Sequence, residues 1–194
     1  MAEHIITGID VGTYHVKVAI ARLPQKKDVS NAKPEIISTG LAESRGLKNG
    51  YILQQSEVAR SIKSALSQAE KAAGITVKRA HVAVGSIGLE ETYSHGEIIP
   101  ARADSEITQT DIEKVLLDSE ERILDHIPNR RILHSIPLRY QIDAVEVLGR
   151  PIGLKGTKFE VDSLFVTTYE QHVNDIITCV ESIGVQVEDV LASP

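Results

Sequence analysis

Tryptophan is absent from this chain, and phenylalanine, methionine and cysteine are close to absent: two, one and one in 194 residues. A single cysteine, Cys179, rules out an internal disulfide and fits a reducing cytoplasm. No apolar run approaches ~20 residues, so no stretch reads as a membrane-spanning helix. Met1-Ala2-Glu3-His4 lacks the basic and apolar regions of a signal peptide. No run of Lys or Arg occurs, the net charge is −6, and aromatics make up 4%. A phosphate-backbone binder needs a basic patch and a single-strand binder needs stacking rings, so nucleic acid is not an expected partner. Two catalytic signatures are missing as well. Gly85-Ser86-Ile87-Gly88 lacks the spacing of a G-x-S-x-G elbow, and no G-x-x-x-x-G-K-[ST] loop is present. The seven histidines (4, 15, 81, 95, 126, 134, 172) pair with no Cys or second His at ligand spacing, so they read as strand and surface residues.

What is present is an ordinary globular composition, 42% hydrophobic and 25% charged, in a chain long enough for one large domain or two small ones. The most informative stretch is Ile5 to Ile20. Two β-branched runs flank the turn Asp10-Val11-Gly12-Thr13-Tyr14-His15. A glycine there opens backbone angles closed to other residues, and neighbouring N–H groups in such a turn can form an anion-binding concavity. Asp10, ending the first strand, is placed to hold a hydrated Mg²⁺ in front of it. Two readings stand at this point: a hairpin that grips a nucleotide triphosphate, or an ordinary hairpin with a glycine in its turn.

Strands are expected at 5–10, 15–23 and 35–43, an antiparallel meander with a polar loop from Pro24 to Pro34. Ser44-Arg45-Gly46-Leu47-Lys48-Asn49-Gly50-Tyr51-Ile52 reads as a loop, and physics alone makes it a surface turn. Val58, Ile62, Leu66, Ala69 and Ala73 form one stripe of a helix from Ser56, its expected N-cap, to a stop at Gly74. A strand follows at 80–84. The character then changes at Gly85–Gly88, and residues 86–160 read as a separate small unit. Within it we expect a strand at 93–100 and a helix opened by the capping residues Thr108 and Asp111 and running to about Ile127. A strand at 131–142 should be interrupted at Pro137 by an edge or bulge, and 150–156 is a loop. Glu160–Thr167 is a strand, Thr168 to Gln171 resembles a second capping box, and the helix it opens ends at Gly184 before a last strand at 185–191. Cys179 reads as a small buried hydrophobe.

Asp10-Val11-Gly12-Thr13 matches the first phosphate loop of the actin/Hsp70-type superfamily. Ser44–Ile52 is similar to the S-R-G-[VL]-K-x-G-x-I segment of the FtsA family of bacterial cell-division proteins. So are Glu106-Ile107-Thr108 with Asp111, Ile132–Pro137, and Pro151–Gly156. The likeness runs from about Ile6 to Pro194. It implies an α/β fold: an actin- or ribonuclease H-like mixed sheet flanked by helices (subdomain 1A, residues 1–85 and 161–194), with an inserted small α+β subdomain of SHS2 type (1C, residues 86–160). It implies ATP and Mg²⁺ as cofactors. Asp10, Gly12, Thr13, Tyr14, His15 and Lys17 would be the nucleotide-binding residues, with Asp10 holding Mg²⁺ through water. His15 stands where FtsA proteins often carry Lys, and Lys17 where actins carry a phosphate-contacting Lys. Strand alternation puts both on one face; Lys17 as a solvated strand residue is the other reading. No catalytic residue is assigned, and at most a weak ATPase is expected of a longer protein.

The resemblance further implies a protein that links the FtsZ ring to the membrane, polymerises, and recruits later division proteins through 1C. The expected location is cytoplasmic, on the inner face of the membrane. The second phosphate loop, the adenosine-binding segment, the FtsZ-binding surface and the C-terminal membrane helix belong to the half of the family that these residues do not match, so this chain alone is expected to bind ATP weakly or not at all. Alternatives are a PilM-like adaptor of type IV pilus assembly and a small-molecule kinase of the same superfamily. The Ser44–Gly50 segment favours FtsA over the first, and the inserted unit does not fit the second.

Overall fold

Helices and strands follow one another so that each amphipathic helix has a sheet face to cover. The computed structural model describes residues 4–24, 33–85, 88–101 and 105–193. Its contacts divide the chain into two units, residues 1–89 with 170–194, and residues 90–169.

The first unit is built on a five-stranded sheet in the order β11-β6-β1-β2-β3, from β1 (Ile5–Val11), β2 (His15–Arg22), β3 (Glu35–Glu43), β6 (Arg79–Val84) and β11 (Gln186–Ala192). The β1–β2–β3 meander is antiparallel, while β6 runs parallel to both β1 and β11. Between β3 and helix α1 (Gln55–Ala73), β4 (Leu47–Lys48) and β5 (Tyr51–Ile52) form a two-residue ladder. Alternation along each strand sends Ile9, Val11, Val16, Val18, Ile20, Val82 and Val84 into the core. They bury against one face, where Val58, Ile62, Ala65 and Ala69 of α1 are also sealed. The expected stripe is buried at Val58, Ile62, Leu66 and Ala69, while Ala73 in the last turn is only half-buried. Gly40 of β3 lets α1 approach closely, since a Cβ there would come within 1.9 Å of the Ala65 carbonyl oxygen. Helix α3 (Glu170–Glu181) packs against α1 and β11. Gly74 ends α1 in the left-handed region, φ +69°. The polar loop expected at 24–34 lies mostly outside the described residues.

The second unit holds a four-stranded antiparallel sheet, β7-β10-β8-β9, from β7 (Glu90–Ile98), β8 (Arg130–Ile142), β9 (Val145–Val147) and β10 (Phe159–Tyr169), with helix α2 (Gln109–Leu124) across it. Its core is Ile107, Val115, Ile142, Phe159 and Val161, with a second cluster of Ile123, Ile127 and Phe165. Tyr140 stacks on Phe159 at 5.5 Å. The Thr108/Asp111 capping box forms as expected, and Asp111 accepts from the Thr108 backbone N–H at 2.9 Å. The register slips between Asp162 and Ser163, opposite Arg139 and Pro137. That is the bulge a proline without an N–H demands. The two ends of this unit meet: Glu90 pairs with Thr167 in register. The Arg130 guanidinium donates to Thr167 Oγ1 (2.9 Å), pairs with Glu90 (3.1 Å) and lies 4.7 Å over the Tyr169 ring.

Four local expectations change. The second unit runs to Tyr169 and not to residue 160. β10 hydrogen-bonds β7 on one side and β8 on the other, so it is the middle of the second sheet and not a strand of the first. Ser56 does not cap α1: the helix starts at Gln55 with Gln54 at its N-cap and no side-chain cap bond. The chain is instead held there by the Gly46 carbonyl, which accepts from Leu53 N–H (2.8 Å) and Gln54 N–H (3.1 Å). Thr168 is no capping residue either, because it still belongs to β10 and its buried hydroxyl has no hydrogen-bond partner. Finally, Ser44–Ile52 is not a plain surface turn but carries the β4–β5 ladder.

Candidate functional site

Asp10 and Lys17 are direct cross-strand neighbours, because the β1–β2 register pairs Asp10 with Lys17 and Val11 with Val16. Lys17 Nζ lies 3.0 Å from Asp10 Oδ2, with side chains 63% and 28% exposed. Between them the chain reverses over Gly12, Thr13 and Tyr14, closed by a Gly12 N–H to His15 carbonyl bond of 3.2 Å. Val16 and Val18 are buried, so His15 and Lys17 share the opposite, exposed face, as alternation requires. Tyr14 stands 82% exposed at the tip. Asp10, Gly12, Thr13, Tyr14, His15 and Lys17 are thus gathered on one hairpin. The sheet face beside them, floored by Gly8, Ala19 and Ala83 and bounded by Leu41 and Leu191, lines a cleft of about 590 Å³ that reaches Asp10 and Lys17.

Gly12 is required for a different reason from the one its composition suggests. Its φ lies outside the left-handed region; a Cβ there would sit 2.9 Å from the His15 carbonyl oxygen. It is close approach within the turn, not conformational freedom, that excludes a side chain.

The residues present suit a magnesium–triphosphate group. A partly exposed carboxylate and an ammonium stand 3.0 Å apart at the mouth of the turn. The Gly12 N–H is taken up by the His15 carbonyl, and the other backbone N–H groups of such a turn are the kind of donor a phosphate accepts from. One carboxylate and the waters it can hold match the sparse protein coordination that Mg²⁺ accepts beside phosphates.

Sequence reasoning did not single out Ser61. Arg45 N–H donates to its buried Oγ at 3.2 Å, and the preceding Ser44 N–H donates to the Tyr14 carbonyl at 2.9 Å. Nothing in its local pattern marks that serine, which occupies a helix position three before Ser64.

The other polar clusters do not compete. In the second unit His95, Glu97 and Glu160 bring ligand-type atoms within 4.8 Å of one another. The Lys158 ammonium already bridges the carboxylates, at 2.7 Å from Glu97 and 2.8 Å from Glu160. It holds Glu97 below the usual carboxylate range, and its own pKa is raised in return. Glu97 and Glu160 are direct cross-strand neighbours, and like charges in that position need a shared cation. Alongside, His95 Nδ1 lies 2.8 Å from Asp162, whose other oxygen accepts from Arg139 Nε at 2.9 Å. The hydrogen bonds from His95 and Arg139 lower the Asp162 pKa. In the first unit Cys179 is 1% exposed, and burial pushes its thiol to about 11, the behaviour of an inert core residue. His172, expected from sequence on a strand or at the surface, is instead a buried residue of α3. Its ring is 5.5 Å from Tyr51, and burial lowers its pKa.

Comparison with known proteins agrees with this fold. Residues 89–167 match the model of the SHS2 domain inserted in FtsA, so the second unit is that insertion. The "Cell division protein FtsA" of Streptococcus pneumoniae is 33% identical over 193 residues, which is 99% of this chain and 40% of that one. The protein of the same name in Pseudomonas aeruginosa is 30% identical over 188 residues, covering 96% of this chain and 43% of that one. This chain thus spans about two-fifths of the length of these relatives. A solved PilM-PilN type IV pilus biogenesis complex has a similar fold, with a TM-score of 0.64 at 12% identity over 97% of this chain and 47% of that one. No helix among the described residues is long and apolar enough to cross a membrane. A mixed sheet opened by an Asp-x-Gly-Thr hairpin, an SHS2 insertion and sequence identity along nearly the whole length point the same way: this chain is similar throughout to part of the FtsA cell-division proteins and carries the SHS2 unit of that family.

Proposed function

We propose that the opening hairpin is the first phosphate-binding wall of an ATP site, in a protein that works in cell division as an ATP-dependent membrane adaptor for the FtsZ ring. The observation that supports this most is the Asp10–Lys17 pair standing across a turn too tight for any side chain at Gly12. In this reading Mg-ATP supplies the charge that orders the cleft. Asp10 orients waters on the metal, Gly12 keeps the turn closed, Thr13 offers a hydroxyl, and Lys17 or His15 approaches a phosphate. Tyr14 stands beside them at the rim. The first unit corresponds to subdomain 1A and the second to 1C, the surface for later division proteins. FtsZ, the second wall of the nucleotide cleft, self-association into filaments and the membrane helix are engaged by the part of the family's length that this chain does not span.

The test is calorimetry with Mg-ATP on a chain extended to the length of its relatives. Asp10→Asn keeps size and removes charge, so binding should weaken about tenfold and lose its Mg²⁺ dependence. Gly12→Val should abolish binding by opening the turn. Thr13→Ala should cost about 1 kcal/mol, one hydroxyl contact. Binding by Gly12→Val equal to wild type would reduce the hairpin to a hairpin.

A further inference from the structure

We infer that Ser61 is a positioning residue for the Gly12–His15 turn, acting through the backbone of Ser44 and Arg45. The inference rests on the nucleotide reading only for what the turn holds; the mechanical claim stands by itself. The β2–β3 ladder ends at His15 paired with Glu43. One step further, Ser44 N–H donates to the Tyr14 carbonyl at 2.9 Å, which carries the ladder into the turn. The next residue, Arg45, donates its N–H to Ser61 Oγ at 3.2 Å, and Ser61 is buried in α1. The next, Gly46, gives its carbonyl to Leu53 and Gln54 at the start of the same helix. Gly46 sits at φ +79°, and a Cβ there would lie 2.6 Å from the Gln54 carbonyl oxygen.

Three consecutive residues therefore tie the tip of the first hairpin to α1, whose Val58, Ile62, Ala65 and Ala69 are buried in the core of this unit. A concavity of backbone N–H groups binds an anion well only when the groups are aimed beforehand, since ordering them on binding subtracts from affinity. Ser61 touches no part of the candidate cleft's Asp10–Lys17 end, so its part is to hold the strand that holds the turn. The FtsA-like segment, which sequence alone makes a surface loop, thereby gains a mechanical role as the backing of the phosphate turn.

Amide hydrogen exchange by NMR on the 194-residue chain tests this, with Ser61→Ala and Ser61→Thr. Alanine favours helix, so α1 stays formed, and threonine keeps the hydroxyl. Ser61→Ala should raise exchange at both Arg45 and Ser44 by about tenfold and shift the Thr13, Tyr14 and His15 resonances, with the second unit unchanged. Ser61→Thr should restore the wild-type pattern. Faster exchange at Arg45 alone, with Ser44 and the turn as in wild type, overturns the proposal. In the extended chain Ser61→Ala should also weaken Mg-ATP binding roughly three- to tenfold. If Asp10→Asn leaves that binding unchanged, the nucleotide reading fails while the exchange result still decides the positioning role.

Discussion

The two units use the same packing device, one in a charge-balanced setting and the other in an acidic one. In each, a helix lies over a strand at a glycine. Gly40 faces the Ala65 carbonyl oxygen of α1 at 1.9 Å from its would-be Cβ, and Gly96 faces that of Val115 in α2 at 2.3 Å. The charge is divided very unevenly. The first unit has twelve acidic and twelve basic residues, while residues 90–169 have fifteen against nine and so account for the whole formal charge of −6. In the second unit Glu97 of β7 and Glu160 and Asp162 of β10 are consumed by Lys158, Arg139 and His95. In the first, the pair at the sheet's end, Asp10 with Lys17, remains accessible beside a tight turn. In the reading proposed above, charge density does not locate the site; a charge pair at a constrained backbone does.

The largest expected effect breaks the comparison at its shared device. Gly40→Ala and Gly96→Ala each force a Cβ into a helix carbonyl, and each should cost about 3 kcal/mol. The loss should fall on one unit only. Hydrogen exchange read unit by unit would show it, and equal loss of protection in both units from Gly96→Ala would contradict the division at residues 90 and 169. The same division predicts that replacing 90–169 by a short Gly/Ser linker leaves the five-stranded sheet cooperatively folded in a denaturant melt, because Glu90 and Thr167 are already paired neighbours.

The next effect separates the units by pH. His172 is buried and its pKa lowered from 6.5, chiefly by burial, with Asp175 opposing. The unfolded chain therefore binds this proton more readily than the folded one. The contribution is fully present above about pH 6.5 and is lost as pH falls from there through the lowered folded value. Asp162, Glu97 and Asp143 in the second unit have lowered pKa values, so their stabilisation is present above their ordinary values of 3.8 to 4.5 and fades only in stronger acid. Between pH 7 and 5 the first unit should lose stability and the second should not. His172→Phe should flatten the dependence of the first unit, as read by exchange across that range. The smallest effect concerns Cys179: with its thiol near 11, a thiol reagent at pH 8 should label it at the rate of opening of the first unit and not at that of a free thiol.

Much of this was legible in the residues. The Val58–Ala69 stripe, the Thr108/Asp111 cap, the Pro137 bulge and the hairpin carrying Asp10 through Lys17 all follow from local chemistry, and the structure reproduces them. What failed depends on partners far away in sequence. β10 alternates like any strand, and only its pairing with both β7 and β8 places it in the second sheet. Thr168 has the spacing of a cap, but the strand simply runs on through it. His172 resembles the other histidines until the fold buries it beside Tyr51. Gly12 was legible as necessary but not why, because the His15 carbonyl that excludes a side chain is placed by the turn's own closure. Ser61 had no sequence signal at all, since its meaning lies in the Arg45 N–H that reaches it.

We propose that ligand chemistry resides in the opening hairpin and not in the charged sheet of the second unit. Backbone NMR of the 194-residue chain during a Mg-ATP titration tests it most directly, because shifts register even millimolar binding. Perturbation confined to residues 10–17 and 44–46 is the predicted result. Shifts centred on His95, Glu97, Lys158 and Asp162, with the hairpin unmoved, would contradict it.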